Sequence, residues 1–276
     1  MHLHEVLNMS IQDYELERKR IETLFEHAKI IHFGGFYEVP SLRVGVAKTF
    51  MSTKLRGTFV SIDDFFRGCE RFWAKPSLES LLFYCETVYN VLSACDDEIN
   101  MMGEQAVAVK RLIFSNVDII LEKTGYVLTE LENGSGLWEI VKKDALVSAV
   151  VEDLPDADAA LAVLDYNHFQ IKGDITKKRE LLVAIGRYVE PLIEEPELKG
   201  SHCGLVDDVK FCLNNLHIRH NNEAGKHAKE FLEKMPDEEL ELWYDKAYRS
   251  MLLLIEERKQ LETHKEIDAL KKSLKK

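Results

Sequence analysis

The chain lacks any apolar run approaching the ~20 residues of a membrane-spanning helix. Its opening stretch, MHLHEVLNMSIQDYELERKR, also lacks the apolar core and small-residue cleavage site of a secretory leader. These absences set the expectation of a cytoplasmic protein with no membrane partner. Cysteine is sparse: Cys69, Cys85, Cys95, Cys203 and Cys212 are odd in number and never form CxxC, which signals neither a disulfide framework nor a zinc ribbon. Cys85 and Cys95 fall within an apolar helical pattern and read as small buried hydrophobes. Positive charge is short as well. With 36 Lys and Arg against 48 Asp and Glu, the net charge is -12, which excludes a bulk electrostatic grip on nucleic acid or anionic membrane. No DNA partner is expected, and any phosphate recognition needs a local basic patch. No GxxxxGK[ST], no GxGxxG after a strand and no GxSxG occurs, so a P-loop, a dinucleotide fold and a nucleophile elbow are not signalled.

What is present is helical periodicity, in a chain of 276 residues with 46% apolar content, enough for a sizeable core. Leu16, Ile21, Leu24, Phe25, Ala28 and Ile31 predict a helix from about Ile11 to Ile31, behind a cap at Ser10 and ended by Gly34 and Gly35. The next stretch, with Pro40, Gly45 and Gly57, predicts a long ordered connection with short irregular elements. Ser61 with Asp64 starts a short helix to about Phe72, and Pro76 and Ser77 open a long one. Its face is Leu78, Leu81, Leu82, Cys85, Val88, Leu92 and Cys95. A partner helix follows Gly103 and ends at Gly125 in a left-handed cap. Two β-prone runs, Tyr126 to Leu131 and Leu137 to Val141, flank ENGSG as a hairpin that must lean on helices, with Trp138 as its anchor. Pro155 is expected in the first turn of a helix, Gly173 to close one before Asp174 caps the next, and Pro191 with Pro196 to end that. Pro236 and an acidic first turn open the last helix; beyond Glu256 its apolar stripe thins, as for a tail that projects, frays or extends in a dimer. The fold class is mainly α, a multi-helix bundle with one small β-hairpin at about 126-141. For bookkeeping the chain divides into a helical region with the hairpin, 1-143, and a helical bundle, 144-276.

The segment CLNNLHIRHNNEAGKHAKEF, Cys212 to Phe231, concentrates His217, His220, His227, Arg219 and four asparagines. Asn and His compete for backbone groups, so the helix is expected to unwind around His220 to Asn222. Structurally, Asn214, Asn215, Asn221 and Asn222 would satisfy the helix end, with Arg219 paired to Glu223 or Asp208. Chemically, a guanidinium clamps phosphate oxygens and a histidine moves protons near neutral pH. That pairing suffices for metal-free RNA cleavage: a base takes the ribose 2′-OH proton, the oxygen attacks phosphorus, and an acid protonates the departing 5′-oxygen. His217 and His220, three apart, would share a helical face with His227, Asp207 or His202 nearby, but no spacing fixes a third and fourth ligand and no metal is expected. In DYNHFQIKGD, Asn167 and His168 read as capping or core-polar residues. Phe65, Phe66, Phe72 and Trp73 read as core, and Lys271, Lys272, Lys275 and Lys276 as the basic end of a helix.

At Arg219, His220, Gly225 and His227 the sequence resembles the HEPN superfamily, specifically the C-terminal domains of abortive-infection proteins of prokaryotic antiphage defence. There an arginine and a polar residue end a helix and a histidine follows a short loop, R-x(4-6)-H; here seven residues separate Arg219 from His227, which leaves His220 as the other histidine. The resemblance covers about Asp144 to Glu256. It implies a four- or five-helix bundle, a homodimer with two motifs facing one cleft, and a metal-independent, cofactor-free endoribonuclease. It further implies Arg219 as phosphate clamp, His227 or His220 as acid and base, and Asn215, Asn221, Asn222 and Lys226 as RNA-binding residues. Family members that have lost activity serve as binding modules, so a non-catalytic interaction or RNA-binding module is the rival expectation.

Overall fold

A computed structural model describes residues 11–27, 29–32, 35–38, 41–131, 136–201, 203–219, 232 and 234–274. The chain forms two compact units, Met1–Lys143 and Asp144–Lys276. Both are predominantly helical, and among the described residues no helix is long and apolar enough to cross a membrane.

The first unit runs α1 (Tyr14–His27), β1 (Lys29–His32), β2 (Gly35–Glu38), α2 (Leu42–Phe50), α3 (Ile62–Trp73), α4 (Leu78–Ala94), α5 (Asp96–Met101), α6 (Glu104–Thr124), β3 (Tyr126–Glu130) and β4 (Trp138–Lys142). Ser41, Ser61 and Ser77 cap α2, α3 and α4 by accepting the amide hydrogens of Val44, Asp64 and Ser80. Gly125 ends α6 at φ 78°. Helix α4 is the axis of this unit. It packs on α1, α2, α3, α5, α6 and β4, burying Leu81, Leu82, Val88 and Leu92 against Ile21 and Phe25 of α1 and Val46 and Phe50 of α2. Cys69, Cys85 and Cys95 are buried free thiols, as expected for Cys85 and Cys95; burial pushes the Cys95 thiol up to about 11, which disfavours the thiolate.

The expected hairpin forms, with Glu130 opposite Trp138 and Val127 opposite Val141. The Trp138 ring meets Tyr89 edge-on at 5.7 Å. Helix α4 also supplies hydrogen bonds to the outer edge of β4. The Asn90 side chain accepts the Trp138 N–H at 2.8 Å and donates to the Trp138 carbonyl at 2.7 Å, while Glu86 accepts the Ile140 N–H at 2.6 Å. Residues four apart on a helix are separated by about 6 Å along its axis. Alternate residues of a strand are separated by about 6.7 Å. One helical turn of side chains can therefore stand in for a missing strand.

Two expectations in this unit are corrected. The first helix ends at His27 instead of Ile31, because Lys29–His32 pairs with Gly35–Glu38 as a second hairpin, and Gly35 sits in a strand. The β-branched Ile30 and Ile31 suit a strand as well as a helix face, which is why the apolar spacing misled. The stretch after Pro40 holds the regular helix α2: Gly45 lies inside it because a Cβ there would collide with the Met102 side chain.

The second unit runs α7 (Ala145–Asp153), α8 (Ala157–Tyr166), a 3-10 turn (Phe169–Ile171), α9 (Ile175–Leu192), α10 (Pro196–Ser201), α11 (Cys203–Asn215) and α12 (Asp237–Ser273). Asp144, Asp156 and Asp174 cap α7, α8 and α9. Pro155 precedes the Asp156 cap instead of standing in the first turn. His168 caps the 3-10 turn through Nδ1, which accepts the Gln170 N–H at 3.2 Å, in keeping with a capping role. Helix α12, 37 residues long, packs on α7, α9 and α11 and buries Tyr244, Ala247, Met251, Leu252 and Ile255. Its tail stays helical to Ser273, tethered by Arg258 to Glu195 at 2.7 Å and Lys259 to Asp153 at 3.0 Å.

Lys178 of α9 is only 5% exposed. Its ammonium meets Glu241 at 2.8 Å and Asp245 at 2.5 Å, residues one turn apart on α12. Asp245 also accepts the Tyr166 hydroxyl at 2.9 Å, and Glu241 the Gly173 N–H at 2.8 Å. Tyr166 in turn stacks on Tyr248 at 4.1 Å. Burial raises the Glu241 carboxyl, but the hydrogen bonds from Lys178 and Gly173 N–H and the lysine charge outweigh it and leave the pKa lowered. Lys178→Ala is expected to cost about 3 kcal/mol in urea unfolding, the low end for breaking a buried pair, because Asp245 is half-exposed and can hydrate. Since Glu241 is more acidic folded than unfolded, its contribution is present above about pH 4.3 and fades as pH falls through the folded value. Stability of Glu241→Gln should therefore fall less than wild type's below about pH 4. In the first unit, Asn90→Ala loses both bonds to Trp138 and strands its N–H, at an expected cost of about 2 kcal/mol by the same measurement.

Candidate functional site

Among the described residues of the polar cluster, the chain leaves the helix earlier than expected. Helix α11 ends at Asn215, not around His220 to Asn222. Leu216 N–H still reaches back to Cys212 O, His217 takes a left-handed conformation at φ 57°, and Arg219 N–H bonds Leu213 O at 2.9 Å. These bonds answer carbonyls that a helix end leaves open. The Asn215 side chain donates to Phe211 O at 2.6 Å, so this expected RNA-binding residue bonds back onto its own helix. His217 is held by its carbonyl, which accepts from Arg179 Nε at 2.8 Å. Because the helix stops before it, His217 itself lies outside the helix. Among the described residues no three His, Cys, Asp or Glu converge as metal ligands do. His220, Asn221, Asn222, Lys226 and His227, like His202, lie outside the described residues.

Arg219 stands at the mouth of an open cleft of about 350 Å³ between α9 and the end of α11. Its Nε meets Glu190 Oε1 at 2.8 Å, with side chains 38% and 35% exposed. Among the described residues the partner is thus Glu190 of α9 and not Asp208, while Glu223 lies outside the described residues. Val183, Gly186, Arg187 and Glu190 recur at three- and four-residue steps on α9 and form one wall; Leu213 and Ile218 form the other. A Cβ on Gly186 would sit 3.0 Å from Leu213 Cδ2 and 3.5 Å from Ile218 Cγ2, so the absent side chain lets the two walls approach. The Arg219 charge reaches further. It is among the groups that hold the Glu194 carboxyl below the usual range, after the hydrogen bond and charge of Lys199 and the charge of Lys210.

The cleft lining therefore carries two guanidiniums, Arg187 and Arg219, and one carboxylate, Glu190, in a chain whose overall charge is opposite. An exposed ion pair of this kind is worth only about 0–1 kcal/mol, so an incoming oxyanion can take Arg219 from Glu190 at small cost. Sequence reading reached Arg219 but missed Gly186, Arg187 and Glu190. Arg187 and Glu190, three apart in the mostly apolar second half of α9, were the available signal. Gly186→Val should destabilise by about 2 kcal/mol, an overpacking cost. Gly186→Ala should be close to neutral, since about 1 kcal/mol of helix propensity offsets the 3.0 Å contact. Urea unfolding of both checks this. Comparison of the chain with family models, curated proteins and solved structures finds no match.

Proposed function

We propose that the second unit is a metal-independent endoribonuclease of an antiphage defence or toxin type, acting in the cytoplasm as a homodimer. Arg219 clamps the scissile phosphate, and His227 or His220 serves as general acid and base for attack by the 2′-OH. The observation that carries this reading is the place of Arg219: a guanidinium at a solvent-open cleft, beside Arg187, held by an ion pair weak enough for phosphate to displace. Glu190 pre-orients the guanidinium in the free protein and is released when substrate binds. The rival, a non-catalytic interaction or RNA-binding module, draws on the same ion pair and on the backbone bonds that close α11, which explain the polar residues without substrate.

RNA cleavage in EDTA separates the two. Wild type is expected to cut single-stranded RNA, leaving 2′,3′-cyclic phosphate ends, and Arg219→Ala and His227→Ala to lose on the order of 100-fold in rate, the scale of a lost acid, base or charge clamp. Glu190→Gln should keep the fold and bind RNA at least as tightly, because a competing carboxylate charge is gone. An uncut RNA panel, or equal cutting by wild type and both variants, removes the catalytic reading; weakened folding in Glu190→Gln with unchanged RNA binding supports the rival. Light scattering of the purified chain reads the dimer.

A further inference from the structure

The first unit has a cleft of its own, of about 370 Å³, lined from α1, α2, α3 and α4. At about 30 Å³ per liquid water this is room for on the order of ten water molecules, enough for a short carbon chain with a polar head. Four carboxylates line it, those of Glu22, Glu26, Asp63 and Glu70, against the two guanidiniums of Arg43 and Arg67. Arg43 occupies part of this environment as a built-in cation: it pairs with Glu26, pairs with Asp63 at 2.8 Å and lies 4.7 Å above the Phe66 ring. Glu22 pairs with Arg18 at 3.1 Å. Glu70 is exposed and has no ion pair among the described residues. Arg43 Nε is buried without a hydrogen bond among the described residues, and Tyr84 supplies the other open polar group. Tyr84 lines the cleft, is only 3% exposed, and its hydroxyl has no hydrogen bond among the described residues. Buried tyrosine hydroxyls ordinarily find a partner, so one left open on a cavity marks where a ligand atom belongs. Burial first, and then the charges of Glu22 and Glu26, push the Tyr84 pKa far up, so the hydroxyl remains protonated, able to accept from a cation and to donate to a carboxylate.

We propose that this cleft binds a small organic amine, its ammonium held between the Tyr84 hydroxyl and the carboxylates of Glu70 and Glu22 and its carbon chain lying on Trp73. The excess of carboxylates selects a cation over an anion or a neutral alcohol. The aromatic wall favours an organic cation over a metal ion, which would need convergent oxygen ligands. The inference is independent of the RNA-cleaving reading, since all its residues lie in the first unit.

Isothermal titration of the full chain with 1,4-diaminobutane and with n-butylamine tests it, with n-butanol and butyrate as controls. Saturable binding of the amines at one site per chain is expected, and no binding of either control. Tyr84→Phe and Glu70→Gln should each weaken amine binding about tenfold, the scale of one lost hydrogen bond to a charged group, while Arg219→Ala leaves it unchanged. Glu70 is on the surface, so its variant tests the site even if Tyr84→Phe is less stable. Absence of saturable heat with both amines, equal binding by wild type and both variants, or butyrate binding as tightly as amine would each overturn the proposal.

Discussion

A lysine nearly sealed from water must have its charge answered, and Lys178 has it answered by Glu241 and Asp245 together. The second unit is organised around that demand. Glu241 and Asp245 stand one turn apart on α12, and each takes a second donor: the Gly173 N–H just before α9 and the hydroxyl of Tyr166 at the end of α8. Three helices are therefore pinned at one point by directional bonds, where apolar packing alone would tolerate sliding and rotation. The rotation of α9 is set there, and with it the face that Gly186, Arg187 and Glu190 present to the end of α11.

The cleft on that face combines a close approach with a loose charge pair. Gly186 brings Leu213 and Ile218 against α9, while Arg219, a few residues beyond the helix, stays wet and shares its charge with Glu190. Rigid walls and an easily redirected guanidinium are separate properties, and the chain obtains them from different residues. The first unit reverses the assignment. Arg43 is held by two carboxylates and a ring face, and the hydroxyl of Tyr84 has no hydrogen bond among the described residues.

Local chemistry was legible in the sequence; partners distant along the chain were not. Serine caps at Ser61 and Ser77, the left-handed Gly125, the Asp174 cap and the hairpin around Trp138 all follow from residues a few positions apart, and each is present. The stretch holding Gly45 is expected as an irregular connection because nothing nearby in sequence announces Met102, whose side chain fills the space a Cβ would take. Ile30 and Ile31 satisfied helical spacing, but pairing with residues 35–38 decided their state. At the candidate site Arg219 was picked out by its residue type, whereas its acid, Glu190, lies in another helix and no spacing rule connects them. The helix stop is expected around His220 to Asn222 and comes at Asn215, where the back-bonded side chain and the left-handed His217 already end it.

Every two-stranded sheet has outer edges whose unused amides and carbonyls are a template for another extended chain. On the outer edge of β4 that template is occupied by Asn90 and Glu86, which belong to the most deeply embedded helix of their unit. The same bonds that seat the hairpin thus close the β4 edge to strand-to-strand self-association, with side chains of a neighbouring helix as the guard. The guarding of this edge is in this way tied to the integrity of α4: partial unfolding that withdraws this one helix would bare both the hydrophobic centre and the outer edge of β4 in a single step.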